Sequence, residues 1–98
     1  MNLRRQPVSE QAKLPDGREI VIDVGVPEDP YIPRRELETV DVELRSDGRV
    51  IAAVNTVLDP EQDSEARQLA REIKAGLESG KLEPTAGSIE PLADTLRS

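Results

Sequence analysis

Cysteine and histidine are both absent from this chain, so any chemistry it performs rests on carboxylates, lysines and hydroxyls. Thiolate chemistry, disulfides, Cys/His zinc sites, histidine bases and histidine pH switches are excluded together. The Ser and Thr hydroxyls have no imidazole to activate them, and no GxSxG, P-loop or GxGxxG occurs. Lys13, Lys74 and Lys81 fall at turn-proximal or exposed positions, not in the desolvated setting that lowers a lysine pKa. Asp59, Glu61, Asp63 and Glu65 alternate as at the start of a calcium loop. The sixth position there is Ser64 instead of Gly and the twelfth is Ala70 instead of Glu. Helix capping accounts for the same carboxylates without a metal. The expectation is a non-enzymatic chain with no cofactor, no metal and no evident small-molecule substrate.

Recognition is better provided for. Tyr31-Ile32 lies between Pro30 and Pro33 and is followed by Arg34-Arg35, which puts the only aromatic residue and two guanidiniums on one stiff segment. These residue types are enriched at binding hot spots; the competing reading folds Tyr31 and Ile32 back onto the core. On a helical wheel Arg67, Arg71 and Lys74 share one flank, opposed by Glu61, Glu65 and Glu72. That basic ridge is either a docking surface for an acidic partner or a solvated face whose long stems cover the core edge. No aromatic residue lies beside it for base stacking, which argues against nucleic acid.

The formal net charge of −7 disfavours nonspecific binding to nucleic acid or anionic membranes. No apolar run approaches the roughly 18 residues of a transmembrane helix, and Met1 to Arg5 is not followed by an apolar signal-peptide core. A cytoplasmic location is expected. At 98 residues the chain reads as one domain. Without Trp or Phe, the aliphatic residues must build its core.

The elements that position these residues centre on Val40 to Leu77. Val40, Val42 and Leu44 alternate with Asp41, Glu43 and Arg45, the period-2 pattern of a half-buried strand. The run Arg49 to Val57 is apolar on both parities, so the turn must set its register. A three-residue loop Ser46-Asp47-Gly48 places Leu44 opposite Val50, Val42 opposite Ala52 and Val40 opposite Val54, with all six facing inward. That register is preferred to a two-residue loop, which would place Leu44 opposite Ile51. It sends Ile51 and Ala53 to the outer face, beside Val57 and Val21.

An earlier hairpin turns at Pro15-Asp16-Gly17, with Ala12 opposite Ile20, Val8 opposite Val24 and Lys13 opposite Glu19. Ile20, Ile22, Val24 and Val26 then face inward while Glu19 and Asp23 face out. A proline-rich connection joins the two hairpins. Asp59-Pro60-Glu61-Gln62 opens a helix over 60–79, with Ser64 as an alternative start, whose buried stripe is Ala66, Leu69, Ala70, Ile73 and Leu77. Gly80 stops it. Ile89, Leu92, Ala93 and Leu96 repeat at helical spacing in the tail, too short a stretch to be helical unless it docks. The outer face is then covered by that tail, by another subunit, or left as scattered exposed aliphatics.

The reading is an α+β fold: two β-hairpins in a mainly antiparallel sheet of about four strands, one long amphipathic helix on one face, and a short C-terminal helix if it docks. Residues 1–7 form an arm, 8–80 the domain and 81–98 the tail. The expected function is a small protein-interaction or assembly module, with a protein partner or a second copy as a homodimer. The alternative is an acidic regulatory or inhibitor protein that blocks a basic, nucleic-acid-binding partner; an enzyme accessory subunit is the third reading. Candidate contact residues are Tyr31, Ile32, Arg34, Arg35, Ile51, Ala53, Arg67, Arg71 and Lys74.

Overall fold

A computed structural model describes residues 7–26 and 40–94. It contains four strands, β1 (Val8–Lys13), β2 (Glu19–Gly25), β3 (Asp41–Ser46) and β4 (Arg49–Asn55), followed by α1 (Asp63–Ser79) and α2 (Ala86–Asp94). The strands form one antiparallel meander in the order β1-β2-β3-β4. The fold is α+β, built from two hairpins as the alternation of apolar and polar residues implies.

The two hairpins solve the same problem differently. In the first, Pro15 fixes φ in the negative region, which forbids a two-residue turn with positive φ at its first position. The chain instead makes a three-residue loop. The Gly17 amide donates to the Leu14 carbonyl at 2.9 Å, the Leu14 amide donates to the Arg18 carbonyl at 2.8 Å, and Gly17 takes a φ of +94°. The resulting pairs, Val8 with Val24, Ala12 with Ile20 and Lys13 with Glu19, are those the turn chemistry predicts.

The second hairpin departs from expectation. Asp47 and Gly48 both have positive φ, 52° and 78°, the signature of a two-residue type I′ turn. Ser46 pairs with Arg49 and Arg45 with Val50; the register then slips, so that Leu44 pairs with Ala52 and Val42 with Val54. Val50 and Ile51 therefore share one partner across a β-bulge. The bulge returns Ala52 and Val54 to the inner face, where both are buried. Val50, expected beneath the helix, faces outward with Arg45 and is 52% exposed. The I′ turn matches the right-handed twist of its strands, and one extra residue restores the burial pattern it would otherwise have inverted.

Beyond β4, Thr56 donates both its amide and its hydroxyl to the Val40 carbonyl, and its Oγ1 accepts from the Leu58 amide at 3.2 Å. Leu58 and Pro60 are buried anchors there. The Gln62 side chain reaches back to the Asp59 amide at 2.7 Å, the contact expected of a capping box. It closes a turn in which Gln62 also donates its amide to the Asp59 carbonyl. The helix then begins at Asp63, three residues after the predicted Pro60. It ends at Gly80, whose φ is +78°, and Leu82 donates its amide to the Gly76 carbonyl at 3.0 Å. A side chain at position 76 would collide with Leu82, so Gly76 is a packing requirement where the sequence showed only a weak helix former.

α1 lays Ala66, Leu69, Ala70, Ile73 and Leu77 across β1 and β2. α2 lies against β4 and α1, burying Ile89 and Ala93 in the same core. Docking of the tail against the outer face, one of the three readings of that face, is thus corrected. Both helices occupy the inner face because α1 covers only the β1–β2 half, leaving β4, with Ala52 and Val54, to be covered by α2. Among the described residues no polar or charged side chain is buried.

Candidate interaction surface

With both helices on one side, the opposite face of the sheet has no helix over it among the described residues. Antiparallel pairing sets its side chains in rows that run across the strands. One row reads Ser9, Asp23, Glu43, Ala53; the next reads Gln11, Val21, Arg45, Val50. A third places Gly25 beside Asp41 and Asn55. At the β4 side Ile51 is 42% and Val57 43% exposed, and Ala53 is exposed between them.

Asp23 and Glu43 stand directly opposite one another, a repulsive placement in a sheet. Arg45 offsets it from the neighbouring row, with Nε 3.5 Å from Asp23 Oδ2 and Nη2 3.1 Å from Glu43 Oε2. Asp41 is held at the strand end, where Asn55 Nδ2 donates to its Oδ1 at 2.7 Å. Burial pushes the Asp41 carboxyl above its ordinary range; the Asn55 hydrogen bond opposes that rise and the Glu43 charge adds to it. Two carboxylates, Asp23 and Glu43, thus face one guanidinium on this surface, with Asp41 at the strand end.

The raised Asp41 pKa fixes the sign of a pH effect. The folded chain binds this proton more tightly than the unfolded chain, so stability falls as pH rises through the unfolded and then the folded pKa. Asp41→Asn keeps an oxygen to accept from Asn55 and removes the charge. It is expected to raise the melting temperature near pH 7, with the gain vanishing near pH 3, where Asp41 is protonated in both states. Thermal melts of the two proteins across that range check it. A melting temperature lowered by the substitution at neutral pH would refute it.

The basic flank of α1 is partly neutralised within the chain. Arg67 Nη2 lies 3.6 Å from Asp63 Oδ2 and Lys74 Nζ lies 3.9 Å from Glu10 Oε1 on β1, while Arg71 is exposed. The ridge lies on the helical side of the domain, away from Ile51 and Ala53, so the predicted residues divide between two surfaces. Tyr31, Ile32, Arg34 and Arg35 lie outside the described residues. An open groove of about 580 Å3 runs between the helices, floored by Ala75, Gly76, Leu82 and Leu92 with Glu72, Ser79 and Lys81 at its rim. Ser79 Oγ at its rim donates to the Gly76 carbonyl at 3.2 Å. Among the described residues no group of three or more His, Cys, Asp or Glu side chains is placed to hold a metal. Among the described residues no helix is long and apolar enough to cross a membrane.

Sequence reasoning missed Val50, Asp41 and Glu43 as members of this surface. The outward parity of Asp41 and Glu43 was visible in the alternation of β3, but the β2–β3 pairing that assembles the rows was not; Val50 turns outward only through the bulge. No family model matches this chain, and no curated protein or solved structure matches it.

Proposed function

We propose that this chain is a non-enzymatic protein-interaction or assembly module that receives its partner on the outer face of the sheet, at the β4 side. One observation carries the reading: both helices pack on the inner face, and the exposed large aliphatics among the described residues, Val50, Ile51 and Val57, gather on β4 and just beyond it. Clustered exposed aliphatics with a charged rim mark contact surfaces more often than scattered ones do.

Ile51→Glu tests it. Affinity capture from the native cell is expected to lose its partner with this substitution, while the stability changes by no more than an exposed site allows, about 0.5 kcal/mol. Capture of the same proteins by both forms would refute the assignment. The acidic-inhibitor reading is favoured by a separate feature, the excess of carboxylates around Arg45. Capture that collapses at high salt supports a basic target; capture that survives supports assembly through the apolar residues.

A further inference from the structure

From the edge of β4, unpaired among the described residues, and the charge beside it, we infer that the partner is a basic, extended segment of another protein that adds to the sheet as a fifth strand. This rests on the proposed outer-face interaction and names its occupant. The Thr56 amide donates to the Val40 carbonyl at 2.9 Å, so this pair is hydrogen-bonded, and antiparallel alternation makes Val42–Val54 and Leu44–Ala52 the next such pairs. The amides and carbonyls of Ala53 and Asn55 consequently point away from β3, toward the open side of the sheet. Both residues are exposed. An unpaired, exposed stretch of this kind is a template for β-strand addition.

The opposite edge is blunted in the usual manner. β1 turns Ser9, Gln11 and Lys13 outward, polar residues that discourage pairing. β4 instead exposes Val50, Ile51 and Ala53, with Arg49 its one charge. The bulge at Val50-Ile51 disrupts the first part of this edge, leaving Ala53 and Asn55 as the usable portion.

Charge selects the class of segment. An added strand would lie two spacings, about 9.6 Å, from β3. A Lys or Arg opposite Ala53 can lay its stem across that small side chain and reach Glu43, which pairs with Ala53. Among the described residues Arg45 is the one cation shared by Glu43 and Asp23, so a second cation is accommodated. A second Lys at the neighbouring outer-face position lays its stem along Ile51. A second copy of this chain would bring net charge −7 against −7 and supply only Arg49 from its own β4, so self-pairing is disfavoured.

The test uses the full chain and a decapeptide of alternating lysine and valine, with an alternating glutamate–valine peptide and a backbone N-methylated lysine–valine peptide as controls. Saturating lysine–valine peptide is expected to slow hydrogen exchange of the Ala53 and Asn55 amides at least about tenfold, and neither control should do so. Glu43→Gln is expected to weaken binding about fivefold without unfolding the protein, the scale of an exposed ion pair. Equal protection by the glutamate peptide would overturn the charge argument, and binding without protection of these two amides would overturn strand addition. If no peptide binds while cellular capture still depends on Ile51, the inference fails and the outer-face reading stands; if capture ignores Ile51, both fail. Protection of the two amides in peptide-free protein at concentrations where sedimentation shows a dimer would assign the edge to a second copy and overturn the inference.

Discussion

Ile89→Asp is expected to lower stability by about 3–5 kcal/mol, through the loss of a buried aliphatic side chain and the burial or undocking of a charge. Ile89 is fully buried on α2, which packs against β4 and α1. A carboxylate cannot take that place, so α2 must leave the sheet, and a nine-residue helix containing Pro91 does not persist alone in water. Its departure uncovers Ala52 and Val54. For a domain of this size the melting temperature should fall by about 15–30 °C. Far-UV circular dichroism below the transition should lose the helical signal of α2. The side of the sheet is tested independently by a double-mutant cycle between Ile89→Ala and Val54→Ala. Residues in contact should couple by about 0.5 kcal/mol or more. Coupling indistinguishable from zero, or an unchanged melting temperature for Ile89→Asp, would place the tail elsewhere.

The tail shows where sequence stops informing. Ile89 and Ala93 announce a docked helix by their spacing, yet spacing cannot state which face receives it. That depends on how much of the inner face α1 covers, a property of the crossing geometry of helix and sheet. The turns divide similarly. Pro15 removes the two-residue option for the first hairpin, leaving one register, and the Val8–Val24 and Ala12–Ile20 pairs follow from it. Asp47-Gly48 allows a two-residue or a three-residue loop. The burial pattern of β3 cannot choose between them, because a bulge at Val50-Ile51 reconciles the shorter loop with an inward Ala52 and Val54. The outward row of β3 was legible in full. What that row faces on β2 was not, since the Asp23–Glu43 pairing depends on how the long connection returns the chain. Tyr31 and its neighbours lie outside the described residues.

Ile22→Ala should cost about 3–4 kcal/mol, within the range for deleting a fully buried aliphatic side chain. Ile22 sits on the interior strand β2, between Glu10 and Leu44, with none of its surface exposed. Along β2 the cavity is flanked by Ile20 and Val24, β-branched side chains with restricted χ1, and the chain has no Phe or Trp, so no large ring can swing in to fill it. Urea denaturation should show the midpoint falling with the slope unchanged, the mark of lost stability without a changed unfolded state. A loss under about 1 kcal/mol would mean that the aliphatic core collapses around the gap. The same isoleucine-to-alanine change at Ile51, which is 42% exposed, removes identical atoms and should cost no more than about 0.5 kcal/mol. The two faces of the sheet then separate by experiment. Ile22→Ala weakens the fold but leaves Asp23, Glu43 and Ala53 in their row, so partner capture should persist well below its lowered melting point. A substitution at Ile51 leaves the fold intact and alters the surface alone, because the residues that stabilise this domain and those proposed to give it a partner lie on opposite sides of one sheet.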